Sequence, residues 1–234
     1  MLRFRRPLVA TVLQFVLAVP LLLTRAADLN FADFNGQGLF NNFSGDSGAF
    51  ASEQSRISGT FDSTVFHGTN GASLRIDYAV PSGFCGIWNS LLGKASFSKY
   101  SLNFTNLHGA LRNGTGCPVP VENVHVTNFS FWARGDGKGE FDHAIKVEFK
   151  NPQTLIGSAL FSVPNSTNWT RLDFPISQLS NDVSQLKEIV FVIEDWRNSN
   201  RVSSVYLDDL TFSTDELACD PAALDDNVML DLVS

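Results

Sequence analysis

Apolar and polar residues alternate along most of this chain with the period of a β-strand, and seldom with that of a helix. Ser73–Val80 (SLRIDYAV) is the clearest case: Leu74, Ile76, Tyr78 and Val80 share one face, Arg75 and Asp77 the other. Leu29–Phe34 alternates up to the turn signal Asn35-Gly36. Phe84–Leu92 puts Ile87 and Leu91 on one parity and Trp88 on the opposite one. Val126–Arg134 sets Phe129, Phe131 and Ala133 inward and Trp132 outward. After the turn Gly135-Asp136-Gly137, His143–Lys150 directs Ile145, Val147 and Phe149 inward. Trp169–Phe174 is a shorter strand stopped by Pro175. Glu188–Glu194 is apolar on both faces, which predicts a central strand covered on two sides. Residues 36–56 and 93–121, rich in turn-forming residues, read as loops, with a helical turn expected within Ile176–Leu186.

The closing stretch Arg201–Phe212 breaks the period in an informative way. Val205 and Leu207 have one parity, Leu210 and Phe212 the other, so a regular strand cannot bring all four to one core. One extra residue at Asp208-Asp209 repairs the register, and a β-bulge supplies it. A bulge also re-aims a carboxylate, and a paired carboxylate at that place suits a hard cation such as calcium. A solvent-facing acidic pair ending an edge strand is the alternative.

About eight strands separated by turns, with little helical periodicity, predict an all-β antiparallel β-sandwich over residues 28–214. Its 20 phenylalanines are ample core material. The stretch Asp220–Ser234 differs, with acids in its first turn and apolar Leu224, Val228, Leu232 and Val233 at helical spacing. It predicts a short helical tail, so 215–234 reads as a linker and the start of a helix of a following domain.

Composition adds an address. Residues 1–26 carry Arg3, Arg5 and Arg6, then an apolar run Leu8–Leu23, then Thr24-Arg25-Ala26, the pattern of a signal peptide for export. No later segment is apolar enough for stable membrane insertion. Cleavage removes four arginines and no acid, so 17 basic residues fall to 13 against 24 acidic ones and the net charge moves from −7 to −11. Together with the absence of basic clusters, this argues against nucleic acid. An oxidising compartment makes a Cys85–Cys117 disulfide plausible, with Cys219 left over. Six N-x-S/T sequons, at Asn42, Asn103, Asn113, Asn128, Asn165 and Asn168, suggest surface segments.

The ordered motifs ADF, NGASLRIDY, FWARGDG, NWTRLDFPIS, LKEIVFVIE and VYLDDLTF resemble the calcium-containing jelly-roll carbohydrate-binding modules, a branch of the galactose-binding-like β-sandwiches. The resemblance spans about 28–214 and implies a jelly roll with a structural calcium. Carried over residue by residue, the ion would be held by Asp33, by backbone around Gly71–Ser73 and by Asp208. Asn35 stands where many members have glutamate, a weaker ligand. The segment 220–234 resembles the opening of the bacterial glucoamylase-like family that includes β-1,2-glucanases, implying a catalytic hydrolase domain as partner.

Glycan recognition needs aromatic faces for sugars to stack on and polar side chains to meet hydroxyls. Trp88 and Trp132 are expected to form such a platform with Arg75 and Asp77, unless loops fold over and bury them. Trp196, in a polar loop, is an independent candidate, whereas Trp169 reads as edge packing. Catalysis has little support. Glu140-Phe141-Asp142 begins an E-x-D-x-x-E pattern, but Ile145 stands in the place of the second glutamate. The histidines His67, His108, His125 and His143 lack zinc spacing and are expected at the surface or in loops. The expected function is therefore noncatalytic binding of a polysaccharide or oligosaccharide by a secreted module of a polysaccharide-degrading system. The alternatives are the N-terminal part of a secreted glycoside hydrolase and a cell-surface structural domain without ligand.

Overall fold

The computed structural model describes residues 28–35, 41–42, 45–91, 95–98, 101–104, 111–112, 118–119, 125–151, 154–179, 183 and 186–214. The expected signal peptide, Cys117 and the 215–234 tail lie outside them. In chain order the strands are β1 Asp28–Ala32, β2 Ser47–Ala51, β3 Arg56–Asp62, β4 Ser73–Ala79 and β5 Phe84–Ser90. Four short strands follow, β6 Ala95–Ser98, β7 Ser101–Phe104, β8 Leu111–Arg112 and β9 Pro118–Val119. The rest are β10 Val126–Gly135, β11 His143–Asn151, β12 Thr154–Val163, β13 Thr170–Pro175, β14 Glu188–Glu194 and β15 Val202–Thr214.

Two antiparallel sheets form the sandwich. The first has the order β13-β10-β15-β4-β3, with β1 pairing the far half of β15; the second runs β12-β11-β14-β5-β2. The all-β sandwich expected from the alternation is what forms. Each strand contributes one parity to the space between the sheets. Phe129 and Phe131 of β10, Phe149 of β11, Phe191 of β14 and Phe212 of β15 meet there with ring centroids 5.3–5.8 Å apart. Burying each such ring stabilises the fold by about 1.5–3 kcal/mol, which explains why so phenylalanine-rich a chain closes in two layers.

The register slip in β15 occurs where the parity argument puts it. Ser130 pairs Thr211 and Trp132 pairs Asp208, so Asp209 and Leu210 together oppose Phe131. Asp209 adopts φ 45°, left-handed backbone that aspartate tolerates better than most residues. Val205, Leu207, Leu210 and Phe212 are consequently all fully buried. Strand β14 is likewise buried on both faces, Ile189, Phe191 and Ile193 toward the core and Val190 and Val192 away from it.

Seven strands were not legible in the alternation: β2, β3 and β12, and the four short strands β6–β9, which lie in the 93–121 segment expected as loop. The 36–56 segment expected as loop contains β2 and the first residue of β3, and β12 occupies a stretch without an expected strand. Strand β2 (SGAFA) has a single large apolar residue, the half-buried Phe50, and β3 is an edge strand whose Ile57, Gly59 and Phe61 are half-buried. In β12 the pairings Phe149–Gly157 and Lys150–Leu155 leave Ile156 as an extra residue, and Leu155 and Leu160 are exposed, which scrambles the pattern. The helical turn is a 3-10 turn at Ile176–Gln178.

Cys85 lies inside the core. It shares the parity of Ile87, is fully buried and is a free thiol, and burial pushes its pKa up to about 11. The other member of the expected bridge, Cys117, lies outside the described residues.

Candidate ligand-binding face

The outer face of the first sheet, away from the core, gathers most of the chemistry. Pairing sets its rows. Arg134 lies opposite Tyr206, and Tyr206 opposite Arg75, which pairs Thr60. The next row carries Ser204, Asp77 and Ser58. Tyr206 is outward because Val205 and Leu207 face the core, yet it is only 7% exposed. Its cover is two guanidinium groups, Arg134 at 5.2 Å and Arg75 at 6.0 Å from the ring centroid. Arg134 also lies 5.9 Å from the Trp169 ring. Flat cations over aromatic faces attract by the ring quadrupole.

Arg75 is fixed by Asp77, with Nε and Nη2 both 2.9 Å from Oδ1. Asp77 also accepts a short hydrogen bond from Ser204 Oγ. Beyond this row a cleft of roughly 560 Å³ opens, lined by Arg56, Ser58, Asp77, Asp136, Lys138 and Ser204 among others. An aromatic and guanidinium shelf beside a polar cleft suits a ligand with apolar faces and many hydroxyls.

The tryptophans do not form one platform. Trp132 is in β10 of the first sheet and Trp88 in β5 of the second, and each faces away from the core, so they look out on opposite sides of the sandwich. Both are half-buried. His67, from the loop between β3 and β4, stacks on Trp132 with centroids 3.9 Å apart and 17° between planes. Trp88 lies against Gly48, where an added Cβ would come within 2.7 Å of its ring. Trp169 packs at the edge as expected, its Nε1–H donating to Phe66 O at 3.0 Å while its ring meets His67 edge-on. Trp196 is 62% exposed on the 3-10 turn Asp195–Arg197, beyond the end of β14.

The acidic pair is engaged rather than solvated. Asp208 is 2% exposed; its Oδ2 accepts the His67 N–H and its Oδ1 the Asp209 N–H, both at 2.8 Å. Burial raises its pKa to about 7 against the pull of those bonds. Asp209 Oδ2 meets His67 Nδ1 at 2.7 Å. The first-strand donors sit differently: Asp33 Oδ1 accepts the Asn35 N–H, and Asn35 Oδ1 accepts the Ala72 N–H at 2.9 Å. Gly71, at φ 132°, is needed there, since a Cβ would fall 2.0 Å from Asn35 Oδ1. Among the described residues no three histidine, cysteine, aspartate or glutamate side chains converge to hold a metal. An ion here would therefore draw much of its coordination from backbone carbonyl oxygens.

Among the described histidines only His143 departs from expectation, since His67 lies in a loop and His125 is exposed. His143 is 1% exposed, with Nδ1 2.8 Å from Tyr78 Oη and Nε2 3.3 Å from Asn165 Oδ1, and His67 is half-buried under Trp132. Tyr206, Arg134, His67 and the cleft residues Arg56, Asp136 and Lys138 were missed in sequence. Parity alone marks Tyr206, since it alternates with Val205 and Leu207; the loop residues carry no such signal.

No family model matches the chain, and no curated protein does. Solved structures do. The family 11 carbohydrate-binding module of the cellulosomal cellulase Lic26A-Cel5E of Clostridium thermocellum superposes with a TM-score of 0.50 at 14% identity, covering 82% of this chain and 97% of that one. The family 11 module from Clostridium thermocellum in complex with a β-1,3-1,4-mixed-linked tetrasaccharide gives 0.51 at 15% identity, covering 81% and 96%. An exo-β-agarase matches at 0.50 and 8% identity over 79% of this chain and 24% of its own. At these identities the likeness is one of fold.

Proposed function

We propose that this chain is an exported, noncatalytic carbohydrate-binding module that takes a glycan along the outer face of the first sheet. The observation that carries this reading is the row Arg75, Tyr206, Arg134 and Trp169 bordering the cleft. The sandwich shared with modules of which one is described with a bound tetrasaccharide supports it. Its test is affinity electrophoresis of the domain through soluble polysaccharides. At least one should retard migration, with Asp77→Ala weakening binding about tenfold, the scale of one good charge-assisted hydrogen bond, and Trp196→Ala leaving it unchanged. Retardation by none sinks the reading; loss through Trp196→Ala alone moves the site to the loops.

The same proposal places the module in a polysaccharide-degrading system with a hydrolase domain as partner, on the pattern of residues 220–234. Reading the coding sequence past Ser234 tests it, and a continuation without hydrolase sequence removes the partner.

Calcium belongs to the proposal as a structural cofactor, held by Asp33, Asp208 and carbonyls of Gly71–Ser73. Binding the folded state alone, it would raise the melting midpoint by mass action. Asp208→Asn should lose that rise. Equal midpoints in calcium and in chelator, for the unaltered chain, remove the ion.

A further inference from the structure

The cations of the outer face differ in whether they have a counter-ion. Arg75 is bound to Asp77, and Arg171 to Asp173 at 3.1 Å with a further bond to Ser130 Oγ. Arg134 has no such partner. Its Nε donates to Gly135 O at 3.2 Å, and its ring contacts with Tyr206 and Trp169 hold the guanidinium in place without neutralising it. Among the described residues no carboxylate pairs with Arg134, nor with Arg56 or Lys138 of the adjoining cleft. Two acids line that cleft. Asp77 belongs to Arg75, and Asp136, just past the end of β10, accepts the Lys138 N–H at 2.9 Å. In a chain of net charge −7, acids are plentiful, yet three cations here stand against one unpaired carboxylate.

Resting on the carbohydrate-binding reading, we propose that the ligand is an acidic glycan, whose carboxylate or sulfate group is received by the free edge of Arg134, with Arg56 and Lys138 meeting further anionic groups in the cleft. A guanidinium offers parallel N–H donors matched to a two-oxygen anion, and stacking on two rings leaves that edge free and pre-oriented. The overall negative charge does not oppose this at physiological salt, where exposed charges are screened beyond about 8–10 Å.

The test is binding of the full chain to polygalacturonate, to a sulfated galactan and to a neutral mixed-linkage β-glucan, each at low and moderate salt. The expected result is at least about tenfold tighter binding to one anionic polymer than to the β-glucan, weakening with salt. The polygalacturonate and sulfated arms tell carboxylate from sulfate. Arg134→Gln should abolish the preference and Arg134→Lys restore part of it. Should Arg134→Gln fail to fold, the exposed pair Arg56→Gln with Lys138→Gln carries the comparison, with at least about fivefold loss expected. Equal or tighter binding to the β-glucan overturns the inference while leaving the carbohydrate-binding reading intact. An anionic preference that survives in every variant also overturns it. Binding to none of the three polymers, with the folded chain confirmed by its melting transition, overturns the inference; if retardation also fails across neutral polysaccharides at large, the underlying reading falls with it.

Discussion

His143 shows how far one side chain departs from its local pattern. Asn165 Oδ1 can only accept, so Nε2 carries the proton and Nδ1 accepts from the Tyr78 hydroxyl. Both ring nitrogens are satisfied in the neutral form. Burial lowers the imidazole pKa, against the smaller opposing pull of Asn165, Asp136 and Asp142. The folded value therefore lies below the unfolded one, and the stability His143 contributes is complete above about 6.5 and lost as pH falls below it. Asp208 acts with the opposite sign: its carboxyl, raised to about 7, contributes stability at low pH that disappears as pH rises through about 7. Comparing variants separates the two. Between about pH 8 and about pH 5, the unaltered chain should lose more unfolding free energy in urea than His143→Gln does, and parallel losses would show that His143 does not titrate on unfolding. The strand period placed His143 among inward residues, but histidine chemistry alone suggested a surface. What settles it is Tyr78 and Asn165, 65 and 22 residues distant in sequence.

At the scale of elements, β15 was the most legible and the edge strands the least. Its parity break announced the bulge because four large apolar residues must reach one core, and burying them outweighs a local cost of roughly 1–3 kcal/mol for left-handed backbone at Asp209. A β-branched residue is far worse there than asparagine. Asp209→Val is therefore expected to destabilise by about 2 kcal/mol and Asp209→Asn by under about 1 kcal/mol, read from urea midpoints. Equal costs would mean the backbone at 209 is unstrained and only the contact with His67 matters. Strands β2, β3 and β12 escaped notice because an edge strand need not bury a full face, so its composition is free to drift toward Gly, Ala and Ser.

For the whole molecule, the decisive fact is that several pairs of chain-neighbouring strands are split between the two sheets. Strands β4 and β5 are consecutive yet belong to different layers, as are β10 and β11 and again β14 and β15. Trp88 and Trp132 thus stand on opposite outer faces, and one extended glycan cannot stack on both. Trp88→Ala is expected to leave glycan affinity within about twofold while costing on the order of 2 kcal/mol of stability through lost packing on Gly48; a large loss of affinity with intact stability would place the ligand on the second sheet. The chain's own pattern determined the all-β class, the inward set of each strong strand and the slip at Asp208-Asp209, because alternation is a property of a single strand's geometry. Which strands share a sheet, what covers an outward tryptophan, and which cations keep a counter-ion were decided by tertiary structure. Those depend on pairings between segments tens of residues apart, and a period of two carries no information about the partner.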